Sequence, residues 1–284
     1  MPEGDAVYRT AARLRDALDG RVLTRSDFRV PRYATADLSG RTVLTTLSRG
    51  KHLLTRVEGD LTVHTHLRMD GSWRIVPPGR RPPPGDQVRL ILANAEWQAM
   101  GVKLGMVDLV KTAEEDRVVG HLGPDLLGAD WDPEEAVRRL RADPARTIGD
   151  ALLDQRNLAG IGTIYRAETL FLRGVWPWRE VGEIEDLDGL VSLAQRLLSA
   201  NIERRSSGGE SEGTNANESR SGRDHKHAHA ATVTTGDRRP GNQTWVYGRA
   251  GRPCRRCGTR ISRGEMGAQP QERLILWCDG CQPR

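Results

Sequence analysis

Hydrophobic residues recur at helical spacing near the start of the chain. Val7, Ala11, Leu14 and Leu18 lie three or four positions apart, so they share one face of a helix. The spacing predicts a helix from Asp5 to Gly20, because glycine commonly ends helices.

The pattern then changes to short stretches in which hydrophobic and polar residues alternate. Such alternation is typical of strands with one buried face, and turn-forming residues separate the stretches. The predicted strands cover residues 22–30, 41–47, 51–57, 61–67, 72–76 and 87–92. Residues 1–128 are therefore predicted to form an antiparallel β-domain, fronted by the helix.

Helical periodicity returns from residue 130 onwards. Asp132 is predicted to cap a helix in which Pro133 is the first residue and two glutamates lie near the positive end of the dipole. Further helices are predicted over residues 148–153, 164–172 and 187–202. We therefore expect residues 129–204 to form a helical domain.

Residues 202–245 have the composition of a linker. Between Ile202 and Trp245 the only large aliphatic side chain is Val233. Such a stretch buries too little apolar surface to offset the entropy cost of ordering, which predicts a flexible loop over 205–244. Three alternating histidines within it could bind a metal, but the composition favours a solvated loop: His225, His227 and His229.

Positive charge is concentrated at the C-terminal end. The whole chain has a formal net charge of only +5, from 43 Lys+Arg and 38 Asp+Glu. From Arg238 to Arg284 ten arginines oppose three acidic residues, so the basic character is local. Lysine occurs at only four positions, namely Lys51, Lys103, Lys111 and Lys226.

The sequence has no candidate membrane segment. No apolar run approaches the roughly 20 residues that a membrane-spanning helix needs, and the N-terminal region is charged rather than apolar. We therefore expect a cytoplasmic protein that is long enough for about two domains with a substantial core.

All four cysteines fall in the last 31 residues, as two close pairs separated by twenty residues. Two CxxC pairs at this spacing can place four thiolates around a tetrahedral Zn²⁺ ion. The alternatives are two disulfides or four unrelated thiols. We predict one structural zinc ion, because four protein ligands leave no open position for catalysis. Its ligands are Cys254, Cys257, Cys278 and Cys281. The arginines around this hairpin suit phosphate binding.

A glycine-rich turn joins two short helices over residues 155–163. Free backbone N–H groups at the start of the second helix would suit a phosphate, although an ordinary helix connection explains the glycines equally well. Thr163 stands where a helix cap belongs, and its hydroxyl could alternatively meet a phosphate oxygen.

The N-terminus and one lysine are candidate chemical groups. Removal of Met1 would leave Pro2 with a secondary amine that titrates around pH 8 and can attack an aldehyde-level carbon. Glu3 could then act as acid or base. Lys51 follows a glycine at a strand start, in a chain that otherwise prefers arginine. The alternatives are a trivial Met-Pro start and an ordinary surface lysine.

Two further groups of ring side chains favour packing over ligand contacts. His64 and His66 lie on one face of a predicted strand, where packing is commoner than ligation. Trp176 and Trp178 are close in sequence and are expected to pack rather than to stack on bases.

Six short motifs span nearly the whole chain. They are Met1-Pro2-Glu3-Gly4, Arg49-Gly50-Lys51, Leu67-Arg68-Met69-Asp70-Gly71-Ser72, His121-Leu122-Gly123-Pro124-Asp125, Leu153-Asp154-Gln155 through Gly160-Ile161-Gly162, and Val246-Tyr247-Gly248-Arg249 before the cysteines. Taken together and in this order, they resemble the formamidopyrimidine-DNA glycosylase and endonuclease VIII family, and an actinobacterial endonuclease VIII-type member in particular.

The resemblance implies a multidomain α+β fold. An N-terminal catalytic β-sandwich with a leading helix would span residues 1–128, and a helix-two-turn-helix domain would span 129–204. A flexible loop over 205–244 would precede a zinc finger over 245–284. Damaged double-stranded DNA would lie between the domains of a protein expected to act as a monomer in the cytoplasm, associated with the nucleoid.

The resemblance also implies the chemistry. The enzyme would remove oxidised bases, pyrimidines favoured, through a Schiff base on Pro2, and would cut the strand by β/δ-elimination. Glu3 would assist opening of the sugar ring, Lys51 would contact phosphate and support β-elimination, and Arg273 would grip phosphates and support δ-elimination. Met69 would fill the space left by the flipped base. Further DNA contacts are implied for Arg68, Asn157, Gly162, Thr163 and Arg249.

The sequence departs from the family pattern at several points. Asp5-Ala6 replaces the usual Pro-Glu, and Thr163 replaces an asparagine, so one hydrogen bond can be kept but not two. The Arg-Arg-Phe-Gly loop of the purine-specific members is absent between Asn94 and Val110, which favours oxidised pyrimidines. Met69, however, is typical of the purine-directed branch.

Two other functions are compatible with parts of the sequence. A non-enzymatic zinc-ribbon DNA-binding protein would keep the arginine-rich hairpin but would have no need for a free Pro2. A small-molecule enzyme with an N-terminal proline would not need the zinc hairpin.

Overall fold

The computed structural model describes residues 2–83, 85–203 and 232–284. The helices are α1 (Gly4–Leu18), α2 (Asp116–Val119), α3 (Pro133–Arg141), α4 (Ile148–Leu153), α5 (Thr163–Arg173) and α6 (Leu187–Glu203). The strands are β1 (Arg25–Phe28), β2 (Val43–Arg49), β3 (His52–Val57), β4 (Leu61–His66), β5 (Ser72–Val76), β6 (Val88–Ala93), β7 (Gln98–Val102), β8 (Met106–Lys111), β9 (Ser262–Met266) and β10 (Arg273–Trp277). Short 3₁₀ turns occupy Pro31–Tyr33, Thr112–Glu114 and Val181–Glu183.

The N-terminal part contains two four-stranded antiparallel sheets. One has the strand order β1-β6-β7-β5 and the other β2-β3-β4-β8. The two sheets and the apolar face of α1 share one core, which includes Leu14, Leu53, Trp73 and Leu90. This arrangement confirms the predicted antiparallel sheets behind a leading helix.

The sequence pattern missed β7 and β8. All five residues of β7 are buried, so this central strand shows no alternation of polar and apolar residues. A tight turn at Lys103, whose φ is 50°, separates the two strands, and two nearby glycines weaken the strand signal further. Of the predicted strand over 22–30, only Arg25–Phe28 is formed.

The second part packs α3, α4, α5 and α6 around a separate apolar core that includes Leu140, Ile148, Leu170 and Leu190. The Asp132 carboxylate accepts a hydrogen bond from the Glu135 N–H at 3.0 Å, which confirms the cap predicted for α3. The left-handed Gly174 ends α5.

The antiparallel hairpin of β9 and β10 forms the C-terminal part. It rests on α5 through an apolar cluster that includes Phe171, Val246 and Ile275. Trp176 and Trp178 contact Trp277 of the hairpin, with ring centroids 5.4 and 4.8 Å away. These two tryptophans therefore pack, as expected.

Residues 232–244 contain no helix or strand, yet hydrogen bonds tie this part of the predicted flexible loop to the helices. The Asn201 side chain accepts from the Val233 N–H at 2.9 Å and donates to the Val233 carbonyl at 3.0 Å. The buried Glu168 carboxylate accepts from Thr234 and from the Trp245 N–H. The three histidines of the loop lie outside the described residues.

Among the helices that the structure describes, none is both long and apolar enough to cross a membrane.

Candidate active site

The N-terminus of α1 meets the N-terminus of α5. The Gly4 N–H donates to the Gly160 carbonyl at 2.8 Å. The Glu3 carboxylate accepts backbone N–H groups of α5 and the residue before it: Gly162 at 2.8 Å, Ile164 at 2.7 Å and Tyr165 at 3.3 Å. These donors are the ones that a helix start leaves unpaired, so a negatively charged group is favourable there.

Gly162 is a glycine because Glu3 occupies the space beside it. A Cβ atom at this position would lie 2.4 Å from the carboxyl carbon of Glu3, a distance that real contacts do not reach. The close approach of the two chains therefore depends on a residue without a side chain.

Two backbone N–H groups of the glycine-rich turn, where a phosphate site is predicted, are bound inside the protein. Gly162 is buried and its N–H is bound to Glu3, while the Gly160 N–H donates to Gln155. Helix α5 starts at Thr163 and its N-cap residue is Gly162, so Thr163 is the first helical residue and not the cap. The Asn157 amide donates to the Ala151 carbonyl, so it supports the turn. The Glu3 carboxylate is thus the acceptor for the Gly162 N–H, and a phosphate contact of this turn stays a prediction.

Burial governs the charge of Glu3, which is 2% exposed. Loss of water raises its pKa, and the nearby Asp5 acts in the same direction. The Lys51 charge and the backbone hydrogen bonds oppose this, but the pKa remains above the usual value. Pro2, the preceding residue, is half-buried at the same junction.

Lys51 lies in the two-residue turn between β2 and β3. Gly50 precedes it with φ +57°, and its N–H donates to the Asp125 carboxylate at 2.7 Å. Lys51 is 8% exposed, and burial lowers its pKa to about 8, with a smaller lowering from Arg273. An appreciable fraction of its amine is therefore neutral near physiological pH.

A cleft of about 560 Å³ lies where the three parts of the chain meet. The N-terminal domain contributes Lys51, the helical domain contributes Thr163 and Arg156, and the hairpin contributes Arg273. The exposed Arg273 guanidinium is steadied by the carbonyls of residues 271 and 272, at 3.0 and 3.1 Å. Basic groups from separate domains thus converge on one concave surface, which suits a polyanion.

Met69 and Arg68 stand on the exposed loop between β4 and β5. Met69 is 65% exposed, which is unusual for a large apolar side chain, and Arg68 adopts a positive φ of 52°. The Gly71 N–H closes the loop on the Leu67 carbonyl at 2.9 Å. The loop therefore presents an unbranched apolar side chain to solvent at its tip.

Arg249 does not fit the DNA contact predicted for it. The residue is buried, and its guanidinium donates to the carbonyls of Trp245 at 2.7 Å and Pro253 at 2.8 Å. It joins the chain before the hairpin to the first cysteine pair. Its hydrogen bonds are used inside the protein rather than offered to a phosphate.

The four cysteines form one cluster that could hold a metal ion, since their sulfur atoms all lie within 4.8 Å of one another. The Sγ atoms are 3.8 Å apart between Cys254 and Cys281, 3.4 Å between Cys257 and Cys278, and 3.5 Å between Cys257 and Cys281. Zn–S bonds of about 2.3 Å in a tetrahedron give sulfur–sulfur distances of about 3.8 Å, whereas a disulfide needs about 2.0 Å. The donors therefore fit a zinc ion and not the alternative disulfides.

Sequence reasoning missed the acidic residues of the interdomain linker, which is the segment of residues 120–132 between α2 and α3. Besides binding Gly50, the Asp125 carboxylate accepts from the Leu127 N–H at 3.1 Å, and Asp130 forms an ion pair with Arg49 at 2.7 Å. These contacts fix the turn that carries Lys51 against the linker. The only signal in the sequence was Asp125 at the end of the fourth motif.

The chain matches the models of two known domains. The formamidopyrimidine-DNA glycosylase N-terminal domain matches residues 1–112, and the H2TH domain of the same glycosylase matches residues 122–212.

The chain also resembles curated proteins and a solved structure over its whole length. A probable endonuclease 8 of Streptomyces coelicolor is 54% identical over 99% of this chain and 94% of its own. A DNA-(apurinic or apyrimidinic site) lyase of Mycolicibacterium smegmatis is 44% identical over 99% of both chains. The Lactococcus lactis glycosylase, solved with DNA that contains a benzylated formamidopyrimidine, matches with a TM-score of 0.77 at 24% identity over 100% of both chains.

Proposed function

Because the chain belongs to the formamidopyrimidine-DNA glycosylase and endonuclease VIII family, we propose that it is a base-excision-repair enzyme that removes oxidised bases and cleaves the resulting abasic site. One observation carries the assignment of the site. The buried Glu3 carboxylate fixes the chain's first residues at the junction where Lys51 and Arg273 meet.

In the proposed first step, the Pro2 nitrogen attacks C1′ of the damaged nucleotide. A bond from nitrogen to C1′ forms, the C1′–base bond breaks, and the base leaves with the bonding electrons and takes up the proton that the Pro2 nitrogen releases. Opening of the sugar ring leaves an iminium between Pro2 and C1′. The protonated form of Glu3, favoured by burial, gives its proton to the ring oxygen.

The iminium then acts as an electron sink for strand cleavage. Loss of the C2′ proton breaks the bond from C3′ to its phosphate oxygen, and loss of the C4′ proton breaks the bond at C5′. Neutral Lys51, whose pKa is about 8, is the proposed base for the first of these proton transfers. Water finally hydrolyses the imine and restores the Pro2 amine.

DNA binding is proposed for the basic side of the cleft and the exposed loop. Arg273, Arg68 and the Thr163 hydroxyl would contact phosphates, and Met69 would enter the duplex where the damaged base leaves. We propose double-stranded DNA with an oxidised pyrimidine as substrate, a monomer as the active form, and chromosomal DNA in the cytoplasm as its place of action.

We propose that the four cysteines hold one structural zinc ion. The ion would cross-link the two turns that flank the β9–β10 hairpin. Because four protein ligands leave no open coordination position, the ion would take no part in the reaction. The hairpin in turn holds Arg273 over the cleft.

The test is borohydride reduction during incubation with duplex DNA that carries an oxidised pyrimidine or an abasic site. We expect a covalent complex that disappears when a tag blocks the N-terminus. Absence of a complex with every substrate would refute the lyase activity. Mass spectrometry must also find Pro2 as the first residue of active protein, and retention of Met1 would exclude the proline nucleophile.

A further inference from the structure

Three side chains form a hydrogen-bonded row across the second sheet, and none of them belongs to the proposed reaction. The Asp108 carboxylate on β8 lies 3.0 Å from His64 Nδ1, within hydrogen-bond distance. The other ring nitrogen, His64 Nε2, lies 2.8 Å from His52 Nδ1 on β3. The two rings are stacked, 5.1 Å apart at 18°. His64 is fully buried between its partners, where unpaired ring nitrogens would be costly.

The chemistry of the row fixes the position of each proton. An ionised Asp108 can only accept, so His64 Nδ1 carries a hydrogen and His64 Nε2 is bare. His52 Nδ1 must then donate to His64, which leaves His52 Nε2 as an acceptor. Burial lowers the pKa of His52 to about 3 and lowers that of His64, so both rings are neutral at physiological pH.

The His52 end of the row is next to Lys51 in the chain. His52 directly follows Lys51 and pairs with Arg49 to close the two-residue turn. Asp125 holds the same turn through the Gly50 N–H, at 2.7 Å. The turn is therefore held by the interdomain linker and by the row.

The other charged and titratable groups around the turn are few. Glu3 and Arg273 act on Lys51, and His66 and His121 flank His52, with ring centroids 4.8 and 6.0 Å away. The Arg68 N–H donates to His66 Nδ1 at 2.9 Å, so a neutral His66 carries its proton on Nε2. The pKa of His66 is lowered to about 4 by burial, then by Lys51, Arg68 and His64.

We propose that Asp108, His64 and His52 form a positioning row that holds the Lys51 amine in its buried place beside Glu3. A neutral row suits this task because it adds no charge beside Lys51. A carboxylate there would favour the ammonium form of Lys51, and a cation would repel that ammonium. His52, His64 and Asp108 are thus positioning residues that act through Lys51. The inference rests on the proposed function only for the role of Lys51 in cleavage.

The test measures Lys51 without DNA. The chain has four lysines, so protein labelled with ¹³C-lysine gives few Cε signals, and Lys51→Arg identifies the one that belongs to Lys51. We expect this signal to titrate near pH 8 in the wild-type protein. In His64→Leu the row is broken, and the titration should move towards the ordinary lysine value of about 10.4.

The matched control is His64→Gln, since an amide can donate to Asp108 and accept from His52. It should keep the Lys51 titration near the wild-type value. Asp108→Ala breaks the row at its partly exposed end and replaces His64→Leu if that variant does not fold. It should also raise the pH at which Lys51 titrates. The proposal is wrong if Lys51 titrates alike in folded wild-type, His64→Gln and row-breaking variants.

Cleavage of abasic duplex DNA under single-turnover conditions gives the second readout. The pH at which cleavage reaches half its maximum should rise in the row-breaking variants in parallel with the Lys51 titration, whereas a general folding defect would lower only the amplitude. If no variant or wild type cleaves DNA while the titrations differ as expected, the proposed function fails and the positioning row stands.

Discussion

Glu3 combines two tasks at a single residue. Its carboxylate takes three backbone N–H groups at the start of α5, and it belongs to the residue next to the proposed nucleophile. Three backbone hydrogen bonds to one side chain hold it in a single orientation, which makes the junction rigid. The rigidity comes from the chain's own carboxyl group rather than from bound DNA.

Gly162 leaves space for the Glu3 side chain that any larger residue would fill. In Gly162→Ala the added Cβ would lie 2.4 Å from the Glu3 carboxyl carbon, so Glu3 must move. We expect the free energy of unfolding to fall by about 1–3 kcal/mol and the borohydride-trapped complex to fall about tenfold or more, because loss of one well-placed group costs at least that in rate.

Gly182→Ala is the control for this change. It adds the same atom in the helical domain, 3.2 Å from a Pro144 carbon and away from Glu3. Urea unfolding and trapping are measured for both variants. Equal trapping by the two would show that the position of Glu3 does not limit the reaction.

At the scale of elements, the loop between β4 and β5 is built to expose an apolar side chain. Met69→Ala should lower base excision from duplex DNA about tenfold or more, because burial of a methionine contributes about 1.5–3 kcal/mol. Cleavage at an existing abasic site should fall less, since no base has to leave the stack. Single-turnover rates on the two substrates measure this difference.

Leu44→Ala is the matched control for the loop. Leu44 is 58% exposed on β2 and does not line the cleft. Its truncation should leave both rates unchanged. A loss of excision equal to that of Met69→Ala would mean that exposed apolar area in general, and not this loop, is needed.

The β9–β10 hairpin joins the cysteine cluster to the cleft. Arg273→Ala should keep the full zinc content and weaken cleavage, and it should reduce the salt dependence of DNA binding by about one phosphate contact. Arg263→Ala removes an exposed arginine from the neighbouring strand β9. It should change neither the cleavage rate nor the salt dependence of DNA binding. Metal analysis and binding across a salt series check this, and loss of zinc in Arg273→Ala would point to misfolding instead.

The sequence predicted those elements whose signals are local. The face of α1, the cap at Asp132 and the cysteine spacing depend on neighbours within a few residues, and the structure has all three. The central strand β7 could not be predicted, because a strand buried on both faces has no alternation.

The contacts of the site depend on distant parts of the chain. The bond between Glu3 and residue 162 spans 159 positions, and the row from His52 to Asp108 crosses three strands. The glycine-rich turn therefore looked open to a phosphate, and Arg249 looked available, because nothing in their own segments indicates the internal partners.

At the scale of the whole molecule, the candidate site exists only when all three parts are assembled. Pro2 and Glu3 are the two residues before the first helix, Lys51 comes from a sheet turn, and Arg273 from the C-terminal hairpin. The net charge of only +5 does not reveal this arrangement, because the effect of the arginines depends on where they come together in the folded protein.

Stability should fall on acidification because the histidines beside Lys51 are buried without charge. His52 and His66 have folded pKa values of about 3 and 4, below the ordinary 6.5. Their contribution is fully present above pH 6.5 and is lost as the pH falls towards those values, because the unfolded chain binds more protons. The loss approaches about 1.4 kcal/mol per pH unit for each histidine.

Urea unfolding between pH 7.5 and pH 5 measures this slope. The double variant His52→Gln/His66→Gln should have a shallower slope than the wild type, whatever its stability at pH 7.5. Any loss of metal from the cysteines at low pH is common to both proteins and cancels in the comparison. Identical slopes would contradict the assignment.

The paired hydrogen bonds between Asn201 and Val233 have a consequence for engineering. The chain leaves the end of α6 and returns at the same point, so residues 204–231 span a gap that the folded protein has already closed. The entropy of closing a loop grows only slowly with its length. A reporter domain or new chain termini placed within residues 204–231 would therefore leave the positions of the cleft and of the cysteine cluster unchanged.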